Sequence, residues 1–257
     1  MSSLPLYQTS CDLTQPAASA RKRRDLVEVA VALSLILLAV WTPRPLQQVF
    51  SLVALAWVLF STGRSMQRWG EGWADMGFRA QGYLRSLWVV LAAAGLAAIA
   101  VAVAEKMNTL HVPEFPTLFV RRYWAYAIWA LLQEFLLLDF FLLRFLRLFR
   151  DPKIATLAAA ALFALTHLPN PVLTPVTLVW GYVACLTFLA YRNLYTPALA
   201  HAILGICIAV TIPGTVDHNM RVGLGYLTYR PHVQRSQSDH TVSTPAWVKA
   251  EAPTRRP

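Results

Sequence analysis

Apolar residues fall into seven runs along the chain, each closed by basic residues, a proline or a short polar stretch. They extend over about Leu26 to Trp41, Leu46 to Ser61, Leu84 to Ala104, Tyr123 to Phe149, Ile154 to His167, Val172 to Tyr191 and Tyr195 to Ile212. A bilayer span needs roughly 20 predominantly apolar residues, somewhat fewer where flanking side chains snorkel. The pattern therefore predicts an all-α polytopic bundle of about seven helices. Two runs are short: the first is closed by Thr42-Pro43-Arg44-Pro45, and the fifth is ended by Pro169 and Pro171, which cannot continue a helix. Either fits a full span or a dipping segment.

Polar residues between the runs set the orientation. Arg21-Lys22-Arg23-Arg24 precedes a run ending in Trp41 and Pro43 rather than in a small-residue cleavage site, so the first helix is expected to be retained. These four cations, then Arg64, Arg68, Arg79 and Arg85, then Arg144, Arg147, Arg150 and Lys153, mark successive cytoplasmic segments. Seven spans would place the tail outside, whereas Arg221, Arg230, Arg235, Lys249, Arg255 and Arg256 favour the cytoplasm. Residues 1–24 read as a mobile basic segment, 25–212 as the transmembrane domain, and 213–257 as a loop with a mobile tail.

Composition agrees with the pattern. The 257 residues are 56% hydrophobic and 14% charged, with mean hydropathy +0.45, which a soluble domain cannot hide in one core. The formal charge of +10 lies at helix ends and in short loops rather than on one face, so the expected partner is anionic lipid headgroups and not nucleic acid. Cys11, Cys185 and Cys207 show neither metal-ligand spacing nor a pairing pattern. No internal repeat is visible, and the paired interrupted helices of a transporter are missing from the pattern.

Three ionisable residues inside the runs carry the candidate chemistry: Glu134, His167 and His201. At 1.5 Å per residue Glu134 lies roughly 15 Å from Arg144, near the bilayer midplane, where a lipid-facing carboxylate costs at least a few kcal/mol. It must face protein or water, as a functional group or as a protonated, hydrogen-bonded structural one. Asp139, about 140° around a regular helix from Glu134, cannot form a close carboxylate dyad with it and reads as structural. Phe163 precedes His167 by four residues and can wall a pocket over the imidazole. His201 lies one turn into the last run, after Pro197. Each histidine alone fits an interfacial or satisfied core residue. A glutamate and two histidines from three helices are what polarising a water or binding a divalent metal requires. No His-Glu-x-x-His pairing fixes two ligands on one helix, so a metal-free Glu/His mechanism is favoured over Zn²⁺. The aromatics Trp124, Tyr126 and Trp129 fit an interfacial belt and receive no role.

The order of a Glu-bearing helix, Phe-x-x-x-His and a helix containing Leu-Tyr-Thr-Pro-Ala-Leu-Ala-His resembles the CPBP family of intramembrane endopeptidases, which includes type II CAAX prenyl proteases and Abi immunity proteins. The resemblance covers about 120–210. It implies the motifs Glu-Glu-x-x-x-Arg, Phe-x-x-x-His and His-x-x-x-Asn, with Glu and His activating water. Phe163 and His167 match the second motif, and His201 the first position of the third; Gln133 stands at the first Glu, Glu134 at the second, Leu138 at the Arg and Gly205 at the Asn. A carboxamide cannot accept a proton as a general base. Either Glu134 has assumed that role, with Gln133 donating to a substrate carbonyl, or the chain is an impaired relative acting as an immunity, chaperone or anchoring protein. The loss of the Arg is coherent with the loss of one carboxylate. The catalytic candidates are thus Glu134, His167, His201 and Gln133, with Phe163 and Gly205 lining a substrate pocket. The substrate implied is a membrane-embedded or lipid-linked peptide, whether a prenylated CAAX peptide, a bacteriocin leader or a sorting-signal helix, and the location a bacterial cytoplasmic membrane. The segment Asp217 to Tyr226 resembles the tail of CPBP-type sorting proteases, though His218 and Asn219 also fit a solvated loop.

One geometric problem follows. His167 lies some 14 residues beyond Lys153 and His201 about 6 beyond Tyr195, a depth difference of roughly 12 Å for two helices starting at one face. If both serve one site, the last helix must start deep, after an irregular stretch lining a cavity, or the fifth must start outside the bilayer.

Overall fold

The computed structural model describes residues 15–112 and 116–230. All seven apolar runs are helical: α1 (Gln15–Trp41), α2 (Leu46–Trp69), α3 (Tyr83–Lys106), α4 (Pro116–Glu134) continuing through a π-helical segment (Phe135–Leu142) into α5 (Leu143–Leu148), then α6 (Pro152–Leu165), α7 (Leu173–Tyr191) and α8 (Tyr195–Thr211). Two short helices follow, α9 (Gly214–Asp217) and α10 (Gly223–Leu227). Four stretches are long and apolar enough to cross a membrane: Leu46–Arg68, Tyr83–Lys106, Tyr123–Leu148 and Leu173–Tyr191. The chain is a polytopic helical membrane protein.

Boundaries follow local chemistry. Asp151 caps α6 by accepting from the Lys153 amide at 2.8 Å, with Pro152 in the first turn, and α6 gives way before Pro169. Asn170 starts α7, its Oδ1 accepting from the amides of Val172 and Leu173. The regular helix expected through residue 149 instead switches at Phe135 to i→i+5 bonding, a geometry that recurs at functional sites. Residues 15–24 are helical rather than a mobile segment; residues 1–14 and 231–257, also read as mobile, lie outside the described residues.

Three groupings pack around the π segment. α8 lies between α3 and α4, α6 pairs with α7, and the α1–α2 hairpin leans on α5 and α10. The core concentrates on the π segment, whose Leu137, Leu138, Phe140, Phe141 and Leu142 are buried among Ala159, Ala184 and Phe188.

Helix order places the start of α1, the end of α2, the start of α3, the end of α5, the start of α6 and the α7–α8 turn at one end of the bundle, which carries most of the basic residues; Arg44, Lys106, Arg121, Arg122, Arg221 and Arg230 lie at the other. Cations read as loop residues are partly buried there. Arg144, 1% exposed, donates from Nε and Nη2 to Glu28 Oε2 at 2.9 and 2.7 Å and from Nη1 to the Phe140 carbonyl. Arg147 pairs with Asp25 and Glu71. The positive-inside rule expects the more basic end at the cytosol.

At the opposite end, residues 213–230, read as loop, fold into a knob. Asn170 Nδ2 donates to the carbonyls of Asp217 and Arg221, and the Gly223 amide donates to Leu168 O at 2.7 Å. Gly223 has φ +54° and sits so close to Val40 that any Cβ would collide with it. His218 stacks on Tyr226 and Tyr229. The tail as far as Arg230 therefore lies at the end away from the basic cluster.

Candidate active site

Glu134 is the last α-helical residue before the π segment and is fully buried. Its Oε1 lies 2.7 Å from Trp180 Nε1 and 2.8 Å from His201 Nδ1. An indole N–H can only donate, so Oε1 is an acceptor, and the second contact is met by Nδ1–H of His201. Nε2 is thereby left as the His201 ring nitrogen not engaged by Glu134. Oε2 of Glu134 is buried and unpartnered.

His167 is fixed in the same way by a different group. Its Nδ1 lies 2.8 Å from the Phe163 carbonyl, which can only accept, so Nδ1–H donates and Nε2 is again free. Phe163 sits edge-on to both rings, 4.9 Å from His167 and 6.0 Å from His201 between centroids. The four-residue spacing does place Phe163 over His167, and the same ring also meets His201.

The two histidines share a site because α8 begins below the surface. Arg192 takes a left-handed turn after α7, and Asn193, Leu194 and Thr196 are fully buried beneath the α2–α3 connection. The Leu194 amide donates to Gly77 O at 3.0 Å and Asn193 Nδ2 to Arg79 O at 2.6 Å, while Phe78 packs edge-on to Tyr195. This irregular stretch accommodates the expected depth offset.

A cavity of about 410 Å³ runs past the rings, lined by Tyr126, Gln133, Phe163, His167, Trp180, His201 and Gly205 and otherwise mostly by aliphatic and aromatic side chains. Gln133 reaches the cavity and Glu134 does not: the carboxylate lies behind His201 and Trp180. Glu134 thus meets the cavity only by way of His201 and does not face it directly, the reverse of the simplest expectation. Asp139 is 1% exposed with neither oxygen hydrogen-bonded. His218 lies outside the cavity lining, which the knob enters through Met220 and Val222.

Two further residues complete the site. Trp180 had a signal in the sequence: an indole in mid-span needs a partner for its N–H. Tyr126 precedes Gln133 by seven residues and so shares its helix face; it lines the cavity rather than the interfacial belt, edge-on to His201 at 6.4 Å. Its hydroxyl occupies the space of a Cβ at position 205, so Gly205 serves the close approach of Tyr126 to α8. Trp129 also lines the cavity.

Among the described residues no three His, Cys, Asp or Glu side chains converge as a ligand set. Both Nδ1 atoms and Glu134 Oε1 are already committed to protein partners.

Fold and site define a class, polytopic helical membrane proteins holding a carboxylate–imidazole pair inside the helical bundle. Residues 88–207 match the family model of the Rce1-like type II CAAX prenyl endopeptidases, bearing out the similarity to the CPBP family of CAAX-type intramembrane endopeptidases. The match takes in Glu134, Phe163, His167, His201 and Gly205 and stops short of α9 and α10. No curated protein and no solved structure matches the chain.

Proposed function

We propose that the chain is an intramembrane endopeptidase that hydrolyses a membrane-anchored peptide by a metal-free Glu/His mechanism. The observation that carries it is the Glu134–His201 contact at 2.8 Å behind a cavity that His167 and Gln133 also line. His201 Nε2 takes a proton from water as the oxygen attacks the scissile carbonyl. The buried Glu134 carboxylate stabilises the imidazolium, as a carboxylate does behind a catalytic histidine elsewhere. The Gln133 carboxamide donates to the developing oxyanion, a role worth about 3–4 kcal/mol per preorganised donor. Collapse breaks the C–N bond, and the proton held on His201 passes to the leaving nitrogen. His167 Nε2 orients the water. Glu134 is a positioning residue here, and the base the family places at its first Glu is supplied by His201.

Gln133 supports a second reading, an impaired relative that binds a membrane partner without cleaving it. Cells lacking the gene, complemented with wild type, His201→Ala or His167→Ala, separate the two when membrane-protein termini are mapped. The protease reading expects wild type alone to restore gene-dependent termini, in the presence of chelator as in its absence. Equal restoration by all three favours the binding role.

A further inference from the structure

The cavity lies in one half of the bundle. Its lining comes from the end of α1 (Val40), the start of α2 (Gln47), the end of α6 (Phe163) and the start of α7 (Thr177), with Met220 and Val222 from the knob. In each case these are the helix ends away from the basic cluster. Towards the cytosolic end the space stops on Leu137 and Phe141, beneath which lie the buried Phe140, Leu142 and the Arg144–Glu28 pair. The inner half of the bundle is packed and ion-paired; the outer half holds the space.

From this asymmetry we infer that the site is entered from the extracytosolic side, by an apolar peptide segment seated in the outer half of the bilayer. The inference rests on the protease reading for what happens to that segment, and on geometry alone for its side of approach. The lining is overwhelmingly apolar, and the rim residues Leu52 and Trp129 are 68% and 51% exposed where lipid would lie, so the occupant arrives as hydrophobic chain rather than as a hydrated one. A space of about 410 Å³ is near the lower end of ligand pockets, about 300–1,000 Å³, and admits only a few residues around the scissile bond. A lipidated C-terminus presented from the cytosol would have to pass the packed π segment. The substrate class is therefore a membrane-anchored protein whose cleavage site lies at the outer leaflet.

Single-cysteine variants of the full chain test the side of approach without a substrate. Native cysteines are replaced, and thiols are placed by Gln47→Cys at the mouth, Gln133→Cys beside the dyad and Arg150→Cys at the basic end; Thr166→Cys replaces any cavity variant that fails to accumulate. A small membrane-impermeant thiol reagent is applied to right-side-out and to inside-out vesicles. Cavity thiols are expected to react only from the face opposite the one that labels Arg150→Cys. Reaction from the same face as Arg150→Cys, or of the cavity thiols from neither face, overturns the proposal. Gene-dependent termini should also lie on the outer face, and termini on the cytosolic face overturn it as well. If deletion changes no termini, the protease reading falls while the labelling still decides the side of access.

Discussion

Gly205 is the position at which close approach is tightest, and the energetics of its replacement can be worked from the geometry. A Cβ built there would overlap the Tyr126 hydroxyl and stand 2.5 and 2.6 Å from Cζ and Cε1 of that ring. Ordinary contact begins at about 3.4 Å, so the ring carbons must retreat by almost 1 Å and the hydroxyl further still, against His201 and the cavity wall. Overpacking of this kind costs typically about 1–3 kcal/mol. Alanine in place of glycine within a helix returns roughly 0.5–1 kcal/mol. Gly205→Ala should therefore destabilise the protein by about 1–2 kcal/mol, as read from unfolding in detergent micelles. In a Tyr126→Ala background the collision is gone and only the helix gain remains, so the same substitution should stabilise. The coupling between the two sites would be about 1–3 kcal/mol, in the range seen for contacting residues. Equal effects of Gly205→Ala in the two backgrounds would refute the claim that Tyr126 fills the space over Gly205.

Other consequences are open to measurement. Trp180→Phe removes one of two donors from the buried Glu134 oxygen and should cost about 1.5–3 kcal/mol of stability, the worth of a hydrogen bond to a charged group, with processing reduced but not abolished. Glu28→Leu leaves Arg144 buried and unpaired, so a loss of about 3–5 kcal/mol is expected in chemical unfolding; Glu28→Leu with Arg144→Met should recover most of it, and no recovery would contradict the pairing. Burial raises the Asp217 pKa in the knob. Because its folded pKa is raised, the folded knob binds more protons than the unfolded one, so its stability is greatest in acid and falls as pH climbs from about 4, the usual carboxylate value, through the raised one. Hydrogen exchange of residues 213–230 should accelerate over that window, and Asp217→Asn should flatten the response.

The sequence carried much of the fold because hydrophobic runs of bilayer length have few alternative structures. It also carried the meeting of Glu134 with His201 and of Phe163 with His167, since ionisable groups in hydrocarbon must find partners and four-residue spacing fixes a helix face. It did not disclose that α8 starts beneath the α2–α3 connection, because Asn193 and Leu194 find their partners at Arg79 and Gly77, more than a hundred positions away. The buried Arg144–Glu28 pair was hidden likewise, as each residue alone reads as an interfacial charge. Gln133 and Glu134 are adjacent, and only the packing of α4 on α8 decides that the carboxamide faces the cavity while the carboxylate lies behind the ring. The π segment left no readable mark, since Phe135 to Leu142 is as apolar as any regular span. The knob was mistaken for loop because its order comes from Asn170 and Leu168 rather than from its own composition.

In the proposed mechanism Glu134, although outside the cavity, drives hydrolysis by holding His201 and stabilising its charged form. Glu134→Gln keeps the shape of the side chain and removes only its charge. Membrane-protein termini are to be mapped in gene-deleted cells carrying wild type or Glu134→Gln at equal, folded levels. Wild type should restore the gene-dependent termini and Glu134→Gln should leave them unprocessed; restoration by Glu134→Gln at the wild-type rate would contradict the account.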